Sequence, residues 1–133
     1  MKANATRSAV LDKLLGRTDF TPPVTLYVAL YTVAPTEDGG GTEVSGGSYA
    51  RVAVTNNVTN FPGAVDGAKS NGTAIVFPAA TALWGDIVAF GLHSHITNDA
   101  LVFWGVLDDP VNVSDADVAP ASFDVGTLQF EET

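Results

Sequence analysis

The chain has 133 residues, 46% of them hydrophobic and only 16% charged, so it carries enough apolar surface to bury a core and too little charge to stay disordered. Its net charge of −9 is unevenly laid out: Lys2, Arg7, Lys13 and Arg17 fall in the first 17 positions, no Lys or Arg follows Lys69, and the stretch from Asp86 to Glu132 carries nine carboxylates. That balance offers no basic patch for nucleic acid and disfavours anionic membranes, and the absence of cysteine excludes disulfides and thiolate metal sites. No apolar run reaches the roughly 18 residues of a membrane span. Asp12 and Lys13 interrupt the only N-terminal apolar stretch, so a signal peptide is not expected. The sequons at Asn4, Asn57, Asn71 and Asn112 are what chance provides in a chain rich in Asn, Ser and Thr.

The first element is a helix over residues 5–16, with Val10, Leu11, Leu14 and Leu15 on one apolar stripe, Thr6 or Ser8 as N-cap and Gly16 as stop. About three turns of helix are marginal alone. The stripe therefore docks, either on an edge of its own sheet or on a neighbouring subunit, which makes Leu11 and Leu15 interface candidates. After Pro22-Pro23, residues 24–32 alternate strictly, Val24, Leu26, Val28 and Leu30 against Thr25, Tyr27, Ala29 and Tyr31. Two largely apolar faces suit a central strand. Residues 35–48, broken by Gly39-Gly40-Gly41 and Gly46-Gly47, read as a long loop of the kind that is often functional.

Residues 49–55 read as a strand, residues 56–72 as polar loop ending in an Asn71-Gly72 turn, and residues 73–77 as a short strand. Residues 78–85 are irregular and hold Trp84. Residues 86–93 and 100–106 form a hairpin about Asn98-Asp99. Short strands follow at 111–113, 121–124 and 126–130. Seven or eight short strands between turn signals describe an all-β fold, a β-sandwich of jelly-roll type over residues 24–130 with one short N-terminal helix, in a single domain spanning 1–133. No repeat that could build a fibre shaft is present.

Four segments stand out together: Thr25 to Thr32, the Gly-Gly-Gly-Thr-Glu-Val-Ser-Gly-Gly-Ser-Tyr-Ala-Arg block over 39–51, Phe77 to Ala82, and Phe103-Trp104-Gly105. They resemble a family of short bacteriophage proteins labelled tail fiber proteins, along nearly the whole chain. The resemblance implies a virion structural protein without cofactor or catalysis. Its partners would be tail or major capsid proteins and further copies of itself, and possible roles include host-receptor binding. The chain departs from the family pattern at residues 93–98, His-Ser-His-Ile-Thr-Asn, where two histidines are added.

The remaining constellations are weaker. Tyr49 enters its strand as an amphipathic anchor, and Arg51, if inward-facing, needs a carboxylate, with Glu43 the nearest. The pair is either an internal clamp or a subunit contact. His93 and His95 could point the same way and bind a metal, but two ligands are few, and exposed loop histidines are the plainer reading. Asp108-Asp109 and Asp115-x-Asp117 sit on loops around Pro110 without EF-hand spacing. No nucleophile motif or phosphate loop is present. Adjacent Phe103 and Trp104 must face opposite sides of a strand, so one leaves the core unless both faces are covered; both are interface candidates. Head and tail remain competing positions for such a protein: a tail-fibre part, or a decoration protein cementing capsomers, with a glycan-binding adhesin as a third reading.

Overall fold

A computed structural model describes residues 1–98, 100–114 and 121–131. Among these residues one helix, α1 (Asn4–Leu14), precedes nine strands: β1 (Thr25–Val33), β2 (Thr42–Glu43), β3 (Val52–Thr55), β4 (Ala68–Ser70), β5 (Ile75–Val76), β6 (Gly85–His93), β7 (Leu101–Val113), β8 (Ser122–Phe123) and β9 (Gln129–Glu131). The chain is thus mostly strand with one short helix, as its patterning predicts. The strands form one five-stranded antiparallel sheet and two antiparallel ribbons, β4–β9 and β5–β8.

β1 is the central strand that its two apolar faces predict. On one side it pairs with β6, from Tyr27 opposite His93 to Tyr31 opposite Ala89. Its other side is shared: β3 pairs with Thr25–Val28, and β2 with Tyr31 and Val33. β7 continues the sheet beyond β6, completing the expected hairpin. Period-2 alternation separates the faces. Leu26, Val28, Leu30, Val54, Ile87, Phe90 and Leu92 enter the main core, and Ala29, Tyr31 and Ala89 lie buried on the opposite face.

The ribbons close on the main face through aromatic rings. Trp84 meets Tyr49 edge-on at 5.4 Å, Tyr49 stacks on Phe77 at 6.3 Å, and Phe77, Phe123, Phe90 and Phe130 follow at 6.2, 6.1 and 5.9 Å. Phe130 also touches Phe61 and Phe103. Eight rings form one continuous chain, and each such pair contributes about 0.5–1.5 kcal/mol beyond its buried area. Phe123 and Phe130 belong to the last two strands, so this chain is what ties the C-terminal ribbons to the sheet.

Several local expectations are corrected. Neither Thr6 nor Ser8 caps α1: the N-cap is Ala3, which makes no side-chain cap, and Thr6 donates to the Val102 carbonyl instead. Gly16 does end the helix, at φ 117°, where only glycine is comfortable. Within the chain the leucines of the stripe cover nothing: Leu11, Leu14 and Leu15 are all exposed, and Val10 is half-buried. What covers the sheet edge is the segment before the helix, where Lys2 bridges Phe103 and Ala3 N–H donates to Val102 O at 3.0 Å. The loops 35–48 and 56–72 contain β2 and β4, strands too short to announce themselves in the sequence. Residues 111–113 are no separate strand but the end of β7, and Asp108 and Asp109 lie within β7 rather than on loops. Pro110 is tolerated there because β7 borders the sheet.

Asn71 is more than a turn residue. It is 2% exposed, accepts from Leu128 N–H, and donates from Nδ2 to the carbonyls of Thr73 and Asp124. One side chain thereby joins the β4 end to the approach to β9. Asn71→Ala leaves the buried Leu128 N–H without its acceptor and takes a donor from the Thr73 carbonyl, while the Asp124 carbonyl keeps its bonds from Thr127; each unsatisfied group costs about 1–3 kcal/mol. Urea unfolding is expected to show a loss on the order of 3 kcal/mol, and an unchanged midpoint would mean that this junction carries no stability.

Candidate functional site

The glycine-rich loop is folded by close approach. Gly41, at φ 74°, lies so near the β1 end that a Cβ would stand 2.5 Å from Val33 O. Gly47, at φ 56°, lies under Trp84, whose indole Nε1–H donates to Gly47 O at 2.9 Å. Side chains are excluded at both positions, which explains this part of the glycine content. The loop in turn delivers Glu43, Tyr49 and Arg51 to one place.

That place is the gap between β2 and β3 along β1. The backbone of Leu30 lies there without a strand partner on that side. Its N–H donates to the Tyr49 hydroxyl at 3.0 Å, and its carbonyl accepts from Val44 N–H at 3.0 Å. The Tyr49 hydroxyl donates onward to Glu43 Oε2 at 2.7 Å. Arg51 clasps the same carboxylate, Nε to Oε2 at 3.0 Å and Nη2 to Oε1 at 2.7 Å, and its Nη1 donates to the carbonyls of His95 and Asn98, both at 2.8 Å. The expected partner of Arg51 is therefore the actual one, in the bidentate geometry that favours arginine over lysine. With 6% of its side chain exposed, Arg51 directs its guanidinium inward, and it ties the Gly-rich loop to the β6–β7 connection.

The electrostatics follow. Burial on its own would raise the Glu43 pKa, but hydrogen bonds from Arg51 and Tyr49 and the guanidinium charge outweigh it and hold the carboxyl below its usual range. Burial, together with donation to Glu43, raises the Tyr49 phenol well above its ordinary value, against the opposing effect of Leu30 N–H. Glu43 is thus a fixed anion satisfied by its neighbours rather than a proton acceptor, and Tyr49 stays protonated.

On the face opposite the main core, Tyr31 Oη and His93 Nε2 stand 2.7 Å apart, their rings lying over Gly91, where a Cβ would meet both. His93 is fully buried, which corrects its reading as an exposed loop residue. His95 is exposed, and its Nδ1 accepts from Thr97 and Asn98 N–H at 3.1 and 3.2 Å. The two rings therefore occupy different environments and do not converge. No group of three metal-ligating side chains occurs among the described residues. Asp99, Asp115 and Asp117 lie outside them.

The other candidates are spread out. Phe103 turns inward onto Phe130 at 5.6 Å. Trp104 is half-buried on the opposite face, and its Nε1 is shielded without a hydrogen-bond acceptor. Leu11 on α1 and Leu15 just past its end are exposed. Sequence reasoning missed the roles of Asn71, Tyr31 and the first three residues. Tyr31 had a signal, a tyrosine on the second apolar face of a central strand; the others had none.

Arg51→Met removes the cation and leaves a part-buried carboxylate, so stability is expected to fall by on the order of 3 kcal/mol; a loss below 1 kcal/mol would show the pair to be solvated. The pH dependence has a definite sign. Because the folded pKa of Glu43 lies below its unfolded value of 4.5, its contribution is complete above pH 4.5 and is lost as pH falls through the folded value. Glu43→Gln is expected to flatten the acid limb of stability against pH, and an identical limb in both proteins would contradict this.

A family model described as "Podophage GP4 fiber I protein gp80" matches residues 2–131. No curated protein matches the chain.

Proposed function

From the premise that the chain belongs to the podophage GP4 fiber I protein gp80 family, and so to the structural proteins of a phage virion, we propose that it is a tail-fibre component acting as a compact, self-associating attachment domain without catalytic chemistry. The observation that carries this reading is the match itself, which extends over residues 2–131 and so takes in α1, the sheet and both ribbons. We read the sheet and ribbons, joined through aromatic rings, as a β-sandwich of jelly-roll type within one domain.

The lock at Arg51 supports a structural role. Its donors are engaged within the chain, which favours an internal clamp over a subunit contact for Tyr49 and Arg51. Contact with other virion proteins then falls to the half-buried Trp104 on β7 and to the exposed Leu11 on α1 and Leu15 just past its end. A second reading, a decoration protein on the head, is favoured by one feature, the absence of any repeat able to form a shaft. A third, receptor or glycan binding, would use the exposed tip at residues 94–98.

Quantitative mass spectrometry of purified virions separates the positions. A tail-fibre part is expected at a few to tens of copies per particle, with antibody-gold label at the tail. Hundreds of copies with label over the head would replace this reading with the decoration one, and specific binding on a glycan array would favour the third. Trp104→Ser is expected to lower incorporation into particles while leaving the fold intact, and normal incorporation would place the contact elsewhere.

A further inference from the structure

The aromatic rings fill the main face of the sheet toward Trp84 but not at the end nearest α1. There a cavity of about 770 Å³ remains between α1, the linker that follows it, the sheet and the β4–β9 ribbon. Leu26, Leu92, Phe61 and Phe130, all buried, and half-buried Phe103 form its floor and walls. Phe20, 46% exposed, and exposed Lys69 stand at its mouth. Sites for small ligands measure about 300–1,000 Å³ and combine apolar walls with a few polar groups, and this cavity has that size and that lining.

The helix is what keeps the space open. α1 turns Ala5, Thr6, Ala9 and Val10 toward it and is held on that side by the Thr6 hydroxyl, which donates to Val102 O at 2.9 Å. Residues at this spacing share one side of a helix. Leu11 and Leu14 lie on the other side, 56% and 71% exposed. A helix that covers a core ordinarily sends its large apolar residues inward. Here the order is reversed: the side chains able to fill the void point to water, and small ones roof it. Close-packed interiors hold few spaces larger than a water molecule, so a void of this size under a small-residue roof has the character of a site for a guest.

The polar groups of the cavity select the guest. Its described lining includes Lys2 and Lys69 but a single carboxylate, Glu131, in a chain of six basic and fifteen acidic residues. Lys69 Nζ donates to the carbonyls of Phe61 and Pro62 at 3.2 and 3.1 Å, and no carboxylate pairs with it among the described residues. An ammonium carries three donors, and both acceptors here are neutral, so an anion at the mouth finds a charge still to be matched. We propose that the cavity binds a single-chain anionic amphiphile, a long-chain carboxylate whose hydrocarbon lies among Phe20, Phe61, Phe103 and Phe130 and whose head group meets Lys69. The net charge of −9 disfavours an anionic bilayer as the source, so the ligand enters as a free molecule. Such a ligand is compatible with either position on the virion.

Isothermal titration calorimetry of the full chain with octanoate, decanoate and dodecanoate, each kept monomeric, tests the site. Affinity is expected to rise about fourfold per methylene, as burial of a CH₂ group requires. Ala9→Phe, which puts a ring into the cavity, is expected to abolish binding with the circular dichroism spectrum unchanged. Lys69→Met is expected to weaken decanoate about fivefold and leave decanol unchanged, a split that mere damage to the cavity would not produce. No heat with millimolar dodecanoate, one affinity at all chain lengths, or unaltered binding by Ala9→Phe would overturn the proposal. Sedimentation with phosphatidylglycerol vesicles by a chain that ignores dodecanoate would overturn it too, by making the site a membrane contact. So would an oligomer that ignores dodecanoate and that Ala9→Phe dissociates, which would give the cavity to a second copy.

Discussion

The structure hangs on how one flank of β1 is filled. A central strand must satisfy the hydrogen-bonding groups of both its edges, because a buried peptide group without a partner costs about as much as a lost hydrogen bond. Here two short strands share that flank, and Leu30 falls between them. The Tyr49 hydroxyl takes the place of a strand carbonyl for the Leu30 N–H, and Val44 supplies the N–H for its carbonyl. The same hydroxyl donates to Glu43, and Glu43 is gripped by Arg51. A backbone problem in the middle of the sheet is thus solved by a side-chain network that also anchors the Gly-rich loop.

That network has consequences at both ends. The Tyr49 ring begins the aromatic chain that runs through Phe77, Phe123 and Phe90 to Phe130, so the residue that completes β1 also positions the C-terminal ribbons. Arg51 reaches the other way, to the carbonyls of His95 and Asn98, and shapes the β6–β7 connection. Low local polarity makes such fully partnered charges firm and makes any half-partnered version costly. The connection at 94–98, where the chain departs from the tail fiber pattern, is therefore held from below by Arg51 while its side chains stay exposed.

The sheet's edges are handled by other means. Met1 to Ala3 extend along the start of β7, and farther on Pro110 and two aspartates keep the edge from templating a further strand. A component of a repeating particle needs such control, since an unguarded edge would pair with any neighbouring copy. Membership of a phage fibre family fits a chain whose charge is low, whose interior polar groups are locked, and whose apolar stripe on α1 is left in solvent.

The sequence by itself determined the features that local periodicity and composition can carry. Strict alternation from Val24 to Thr32 marked the central strand, the hairpin of residues 86–93 and 100–106 followed from two patterned runs and the Asn98-Asp99 turn signal, and Gly16 marked the helix end. The need of Arg51 for a carboxylate, with Glu43 close in sequence, was legible for the same local reason. The tail fiber resemblance, confirmed by the family match, was carried by the Gly39 to Arg51 block. Only the tertiary structure decided what depends on partners distant along the chain. β2 and β4 exist because β1 and β9 offer them ladders, not because two or three residues prefer strand geometry. Asn71 became a buried hub through Leu128 and Asp124, more than fifty residues away. His93 went inside because Gly91 leaves room for the Tyr31 ring. The leucine stripe of α1 stayed outside because the first three residues had already taken the adjoining edge of β7. Hydrophobic period announces that a face must be covered; which surface covers it is decided by the chain's other hydrogen bonds, and those are long-range.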